Sequence, residues 1–181
     1  MKTYSHPGSS LQQPEAKIIK KLPYRKPDAV KYLESLNFED KKRRCQTIPV
    51  EYLAAVKYRD DSANGLTKCI IDFLRIKGHQ AERISTTGRA IDRQTTFTDV
   101  AGRVRTIGRI EWIPGTTTKG SADISATIKG RSVKIEVKIG ADRMSHYQQK
   151  YQQDVEAAGG VFFIARNFSS FVTWYNLNFE P

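Results

Sequence analysis

Residues 123–139 read DISATIKGRSVKIEVKI. Apolar and polar residues alternate on both sides of Lys129-Gly130, the period of an extended strand with one buried face. Ile124, Ala126 and Ile128 line one side of the first run; Val133, Ile135, Val137 and Ile139 line one side of the second. Lys129-Gly130 fits a two-residue hairpin turn. With that turn Ile128 opposes Arg131, and Asp123 opposes Glu136. Directly opposed residues share a face, with Cβ atoms about 4.5–5.5 Å apart. One face of the hairpin is therefore apolar. The other collects Asp123, Glu136 and, two residues further on, Lys138.

Downstream, Ser145 opens a helix whose Tyr147, Tyr151, Val155 and Ala158 share a face, and Gly159-Gly160 ends it. Residues 161–165 (VFFIA) form a continuous apolar run, as in a strand buried on both faces. Strand, helix and strand in this order make a βαβ unit, so residues 132–139 and 161–165 should run parallel. A last amphipathic stretch carries Phe168, Phe171, Val172 and Tyr175. Upstream, Leu66, Cys69, Ile70, Phe73 and Leu74 have the spacing of one helix face. Asn64 is a candidate N-cap and Gly78 a stop. Residues 79–85 alternate weakly, as a strand. Residues 86–103 read as a loop or mobile hairpin, and residues 103–113 as a further extended stretch. The expectation is an α/β fold: a mixed sheet flanked by helices.

Residues 1–62 differ from the rest. Pro7, Pro14, Pro23, Pro27 and Pro49 punctuate them, and Lys41-Lys42-Arg43-Arg44 is a basic cluster. Residues 28–36 could form a short helix, with Ala29, Leu33 and Leu36 on one side. This segment reads as a basic N-terminal extension to a main domain over 63–181. Across the 181 residues the net charge is +11, which favours a polyanionic partner, nucleic acid first. Two cysteines without a CxxC pair argue against a disulfide scaffold or a structural zinc site. No apolar run approaches a membrane span, and the first twenty residues hold no apolar signal core, so an intracellular protein without a membrane partner is expected. Walker and GxGxxG patterns are absent.

Two carboxylates opposed across a hairpin repel each other. A hard divalent cation would offset this, because Mg²⁺ takes one or two carboxylates together with water and substrate phosphate. Lys138 offsets it in part, and could stabilise charge developing on a phosphate. Glu15-Ala16-Lys17 and Glu39-Asp40-Lys41 have the same short spacing but no alternating strand around them. The plainer reading of Glu136 and Lys138 is an ordinary ion pair on an exposed sheet face. Gln148 also has two readings. Ser145-x-x-Gln148 is a capping-box pattern, and the same glutamine stands close to the hairpin in sequence. His6, His79 and His146 have no partner at ligand spacing.

Four pieces together resemble a family: Lys119-Gly120-Ser121-Ala122-Asp123-Ile124, Lys134-Ile135-Glu136-Val137-Lys138, Arg143-Met144-Ser145-His146-Tyr147-Gln148 and Ala157-Ala158-Gly159-Gly160-Val161. They look like the VRR-NUC domain, the virus-type replication-repair nuclease branch of the PD-(D/E)XK superfamily, in a phage or prophage setting. The resemblance covers about residues 63–176. It implies a restriction-endonuclease-like core of order α-β-β-β-α-β. It also implies an Mg²⁺- or Mn²⁺-dependent deoxyribonuclease, an endonuclease or a structure-specific nuclease, acting in phage DNA replication, repair or recombination in the bacterial cytoplasm. Asp123, Glu136 and the main-chain carbonyl of Val137 would bind metal. Lys138 would position or activate water, and Gln148 would join the catalytic set. Ala122 stands where the family often has proline. No acidic residue precedes Asp72 on the first helix, which leaves one ion per active site as the expectation. Arg83, Lys119 and Arg143 are the candidate nucleic-acid contacts. A homodimer, and docking on replication or repair proteins through the extension, complete the expected partners. The competing expectation is a non-catalytic nucleic-acid-binding or accessory protein of a phage replication machine.

Overall fold

The computed structural model describes residues 23–85, 88–113, 115 and 118–180. Pro7, Pro14, His6 and Glu15 to Lys17 lie outside the described residues. The helices are α1 (Asp28–Arg44), α2 (Ala63–Ile76), α3 (His146–Ala157) and α4 (Phe168–Phe179). The strands are β1 (Gln80–Arg83), β2 (Arg89–Asp92), β3 (Thr95–Thr98), β4 (Val104–Ile107), β5 (Ile110–Ile113), β6 (Ile124–Ile128), β7 (Arg131–Val137) and β8 (Val161–Ala165). The fold is mixed α/β. Its central sheet has the order β1-β6-β7-β8, antiparallel except for the parallel pair β7-β8.

The β6-β7 register runs from Ile128 opposite Arg131 to Ile124 opposite Ile135, as the alternation predicts. The turn works because Lys129 and Gly130 both take positive φ, 46° and 80°. That pair of conformations matches the twist of the flanking strands. The apolar face of this hairpin is buried at Ile124, Ile128, Val133 and Ile135. Against it pack Leu66, Cys69, Ile70 and Leu74 of α2, with Phe168, Phe171 and Tyr175 of α4. Phe73 meets those three α4 rings edge-on, at centroid distances of 5.7, 6.0 and 5.1 Å.

Several boundaries differ from the sequence expectation. The cap of α2 is Ser62 rather than Asn64: its extended backbone leaves the hydroxyl free to accept from the Gly65 amide at 3.2 Å. Gly65 itself is required there, since a Cβ would lie 2.3 Å from the Arg59 carbonyl. Residues 103–113 do not join the central sheet. They pair instead with residues 89–98, β2 with β5 and β3 with β4, in a projecting hairpin. The run 161–165 is not buried on both faces. β8 is an edge strand, and only Ala165 is fully buried, because α3 covers it without burying any residue of its own.

The helix expected at 28–36 runs on to Arg44, and its last turn is Lys41, Lys42, Arg43 and Arg44. Positive charge there complements the negative end of the helix dipole. Val30 and Leu33 of α1, and Tyr58 after it, belong to the same core as the sheet. Buried Asp60 accepts from the Tyr24 hydroxyl at 2.8 Å and from the Phe168 amide at 3.1 Å, tying this segment to the start of α4. One core therefore lies on both sides of position 62.

Leu33→Ala should lower unfolding free energy by about 2–5 kcal/mol, the range for a truncated core leucine. Tyr32→Ala, at a half-exposed site one residue away, should change it by well under half as much. Urea denaturation followed by circular dichroism separates the two. Equal, small effects would show that α1 does not share the core.

Candidate active site

Three chain segments meet at one end of the central sheet. Asp123 immediately precedes β6, and its carbonyl accepts from the Ile84 amide at 2.8 Å. Lys138 immediately follows β7, and its amide donates to the Ala165 carbonyl of β8 at 2.9 Å. The α3 helix starts eight residues beyond Lys138, after a loop, and brings Gln148 back over the strand ends. The Asp123 carboxylate accepts from the Val137 amide at 2.9 Å, which fixes it beside Glu136.

Glu136 is 2% exposed and Lys138 is 6% exposed. The Lys138 ammonium lies 3.0 Å from Glu136 Oε1 and 3.7 Å from the Asp142 carboxylate. It also donates to Gln148 Oε1 at 3.1 Å. Gln148 Nε2 donates to Glu136 Oε1. The other oxygen, Glu136 Oε2, is buried and has no hydrogen-bond partner among the described residues. Burial, and then the Asp123 charge, push the Glu136 pKa above the usual carboxylate range, against the opposing pull of Lys138. A buried carboxylate oxygen without a partner carries its full desolvation penalty, so this site is arranged at the expense of stability.

The Gln148 side chain caps α3 and also contacts Glu136 and Lys138. Ser145 Oγ accepts from the Gln148 amide, while the Ser145 amide donates to Gln148 Oε1 at 2.9 Å, a complete capping box. The same oxygen accepts from the Lys138 ammonium, and the amide nitrogen donates to Glu136. The cap thereby anchors the side chain that spans Glu136 and Lys138.

Lys119 lies over the Tyr147 ring, 3.8 Å from its centroid. Next to it Gly120, with φ +86°, presses on the Tyr147 carbonyl, where a Cβ would come within 2.4 Å. The strand-entry loop thus abuts the first turn of α3, beside Gln148. Arg143 is exposed in the loop between Lys138 and α3. Arg83 is not brought to the cluster: it pairs with Ile124, on the apolar side of the sheet. Two residues near the cluster escape the sequence reading. Asp142 faces Lys138, and Arg166 follows β8 and donates to the Asp142 carbonyl at 3.5 Å. The parallel β7-β8 pairing was the available signal, since it sets the residue after Ala165 beside the one after Val137. A cleft of about 540 Å³ between α1 and α2 lies elsewhere, and its acidic residues are ion-paired, Asp40 with Arg43 and Arg44, Asp72 with Lys68.

Among the described residues no group of three or more His, Cys, Asp or Glu gathers as a metal cluster. The donors that could hold an ion here are instead the Asp123 and Glu136 carboxylates. That set suits Mg²⁺ or Mn²⁺, which fill their remaining positions with water and substrate oxygen. The partnerless Oε2 of Glu136 fits such an ion. A scan against protein-family models finds no match to this chain, and a search of curated proteins finds no significant one.

The Asp123–Glu136 repulsion predicts a pH-dependent stability. A carboxyl whose pKa folding raises supports the fold below its unfolded pKa and loses that support as pH rises through the folded value. Removing the Asp123 charge lowers the Glu136 pKa. Asp123→Asn should therefore raise the melting temperature in chelator at neutral and alkaline pH, with the gain fading as Glu136 protonates on acidification. Scanning calorimetry across pH checks this; a lower melting temperature at neutral pH would make Asp123 a structural residue.

Proposed function

We propose that the protein is a divalent-metal-dependent deoxyribonuclease of the VRR-NUC type, on a restriction-endonuclease-like core. The order α2, β1, β6, β7, α3, β8 supports that core, being the α-β-β-β-α-β succession the resemblance implies. The observation that carries the reading is the buried Glu136, with a partnerless oxygen, held next to Asp123 and in contact with Lys138. An ordinary surface ion pair would be solvated and would need neither the burial nor the opposed aspartate.

In this reading Asp123, Glu136 and the Val137 carbonyl hold one Mg²⁺ or Mn²⁺ ion, which supplies Lewis acidity toward a phosphoryl oxygen. Lys138 holds a water or a phosphate oxygen beside the scissile bond and stabilises the charge that develops there. Gln148 keeps Glu136 and Lys138 in register with each other. Lys119 and Arg143 flank the site where a phosphate backbone would pass, and the net charge of +11 supports DNA as the partner. The work this implies is phage DNA replication, repair or recombination in the bacterial cytoplasm; no helix among the described residues is long and apolar enough to cross a membrane. One observation favours the second reading, a non-catalytic nucleic-acid binder: Gln148, Lys138 and Glu136 Oε1 already satisfy one another without an ion.

Metal separates the two. Plasmid, linear, flap and four-way-junction DNA should be cut with Mg²⁺ or Mn²⁺ and left intact in chelator. Lys138→Ala and Glu136→Gln should each reduce cleavage by about 10²-fold or more, the scale of losing one group that stabilises the transition state. DNA affinity should stay within a few-fold, because it rests on many basic contacts. Metal-independent DNA binding without cleavage of any substrate would leave the second reading standing.

A further inference from the structure

The projecting hairpin has no role in the site just described. Its two ladders share one register. Arg89 pairs with Ile113 and Asp92 with Ile110; the Arg93 amide donates to the Arg109 carbonyl at 3.2 Å; then Thr95 pairs with Ile107 and Thr98 with Val104. The tip is closed by Asp99, whose carboxylate accepts from the amides of Ala101 at 2.9 Å and Arg103 at 3.0 Å. The result is a single two-stranded arm over residues 89–113. At roughly 3.3 Å per residue its ten-residue sides reach about 33 Å.

Side chains alternate along each side, and opposed residues share a face. Arg89, Arg93, Arg105 and Arg109 therefore fall on one face, with Arg103 continuing the series at the tip and Ile91, Phe97, Ile107 and Ile113 set among them. Contacts agree with this placement: Arg93 pairs with Glu111 and Arg105 with Asp99, each at 2.7 Å. Arg89, Arg103 and Arg109 have no ion-pair partner among the described residues. The opposite face carries Ala90, Trp112, Thr96, Thr106 and Val104. It is no better covered: Trp112 is 63% and Val104 74% exposed.

A lone hairpin open on both faces gains little from burial. An arm of this length is expected to be completed by a partner. The charge pattern indicates which. Five arginines align on one face, and the two acids there are already neutralised by two of them. A two-stranded ribbon is also of a width that the roughly 12 Å major groove of duplex DNA admits. In chain order the arm follows β1 and precedes the Lys119-Gly120 stretch that enters Asp123.

We propose that residues 89–113 are a duplex-DNA grip: the arginine face lies against the phosphates of a duplex and spans about ten base pairs. This rests on the nuclease reading for DNA as the partner, and on the arm's own residues for the grip.

The test uses the full chain. Binding of a fluorescent 30-base-pair duplex is measured in chelator over a range of salt concentrations. Metal-dependent cleavage is measured on that duplex and on a single-stranded oligonucleotide too short to reach the arm. Arg89→Gln, Arg103→Gln and Arg109→Gln are combined in one variant; Thr96→Ser and Thr106→Ser, on the other face, form the control. The triple variant should lose at least about 10-fold in duplex affinity, and its log K against log[salt] should be shallower by about 2 to 3, as expected for three lost phosphate contacts. Its melting temperature and its cleavage of the short strand should match wild type, and the control should bind normally. Wild-type affinity and salt slope in the triple variant would overturn the grip, even if the protein proves to be a nuclease. Arm-dependent binding without cleavage would uphold the grip and overturn the nuclease reading. A dimeric wild type that the triple variant renders monomeric, by sedimentation, with duplex affinity unchanged, would assign the arm to a second copy of the chain and overturn the proposal.

Discussion

The register of the β6-β7 hairpin governs everything at the candidate site. It is set by a turn of two residues with positive φ, Lys129 and Gly130, and by burial of Ile124, Ile128, Val133 and Ile135 on one face. A slip of one residue would exchange the faces and place Glu136 in the apolar core. With the register held, Asp123 must stand beside Glu136, and Lys138 must follow on the same side. The parallel β8 then buttresses the end of β7 through the Lys138 amide, and the α3 cap delivers Gln148.

This arrangement is costly in isolation. Buried ion pairs contribute little net stability, because desolvation opposes the attraction. Here the Lys138–Glu136 contact is accompanied by a second carboxylate and by a carboxylate oxygen with no partner among the described residues. The core can carry that load. α1, α2 and α4 pack around the apolar face of the sheet, and the aromatic cluster about Phe73 is rigid and well interlocked. The stable half of the molecule and its strained half are the two faces of the same hairpin.

The parts legible in the sequence are those with a short, clean period. The β6-β7 alternation, the α2 face and the Ser145 capping box all depend on neighbours within a few residues. The arm was less legible. Its sides mix arginine, threonine and scattered apolar residues without a clean period, so residues 86–103 resemble a loop. Cross-strand pairs such as Thr96 with Thr106, not a buried face, hold it together. The length of α1 was hidden for a related reason, since its final turn is entirely basic and shows no apolar period. The exposure of β8 depends on its place at the sheet edge, and Arg166 reaches the site only through the β7-β8 pairing. Neither fact has a local signature. Gln148 was legible as a cap, and the geometry adds its contacts with Glu136 and Lys138.

The central claim is that Glu136 and Asp123 form a divalent-cation site. Its most direct test is an anomalous difference map from crystals of the full chain soaked in Mn²⁺. The account predicts a single peak between the two carboxylates, within ordinary coordination distance of about 2.0–2.3 Å of Glu136 Oε2 and an Asp123 oxygen. A map without a peak there at millimolar Mn²⁺, with Glu136 Oε2 bonded instead to water or to Lys138, would contradict it.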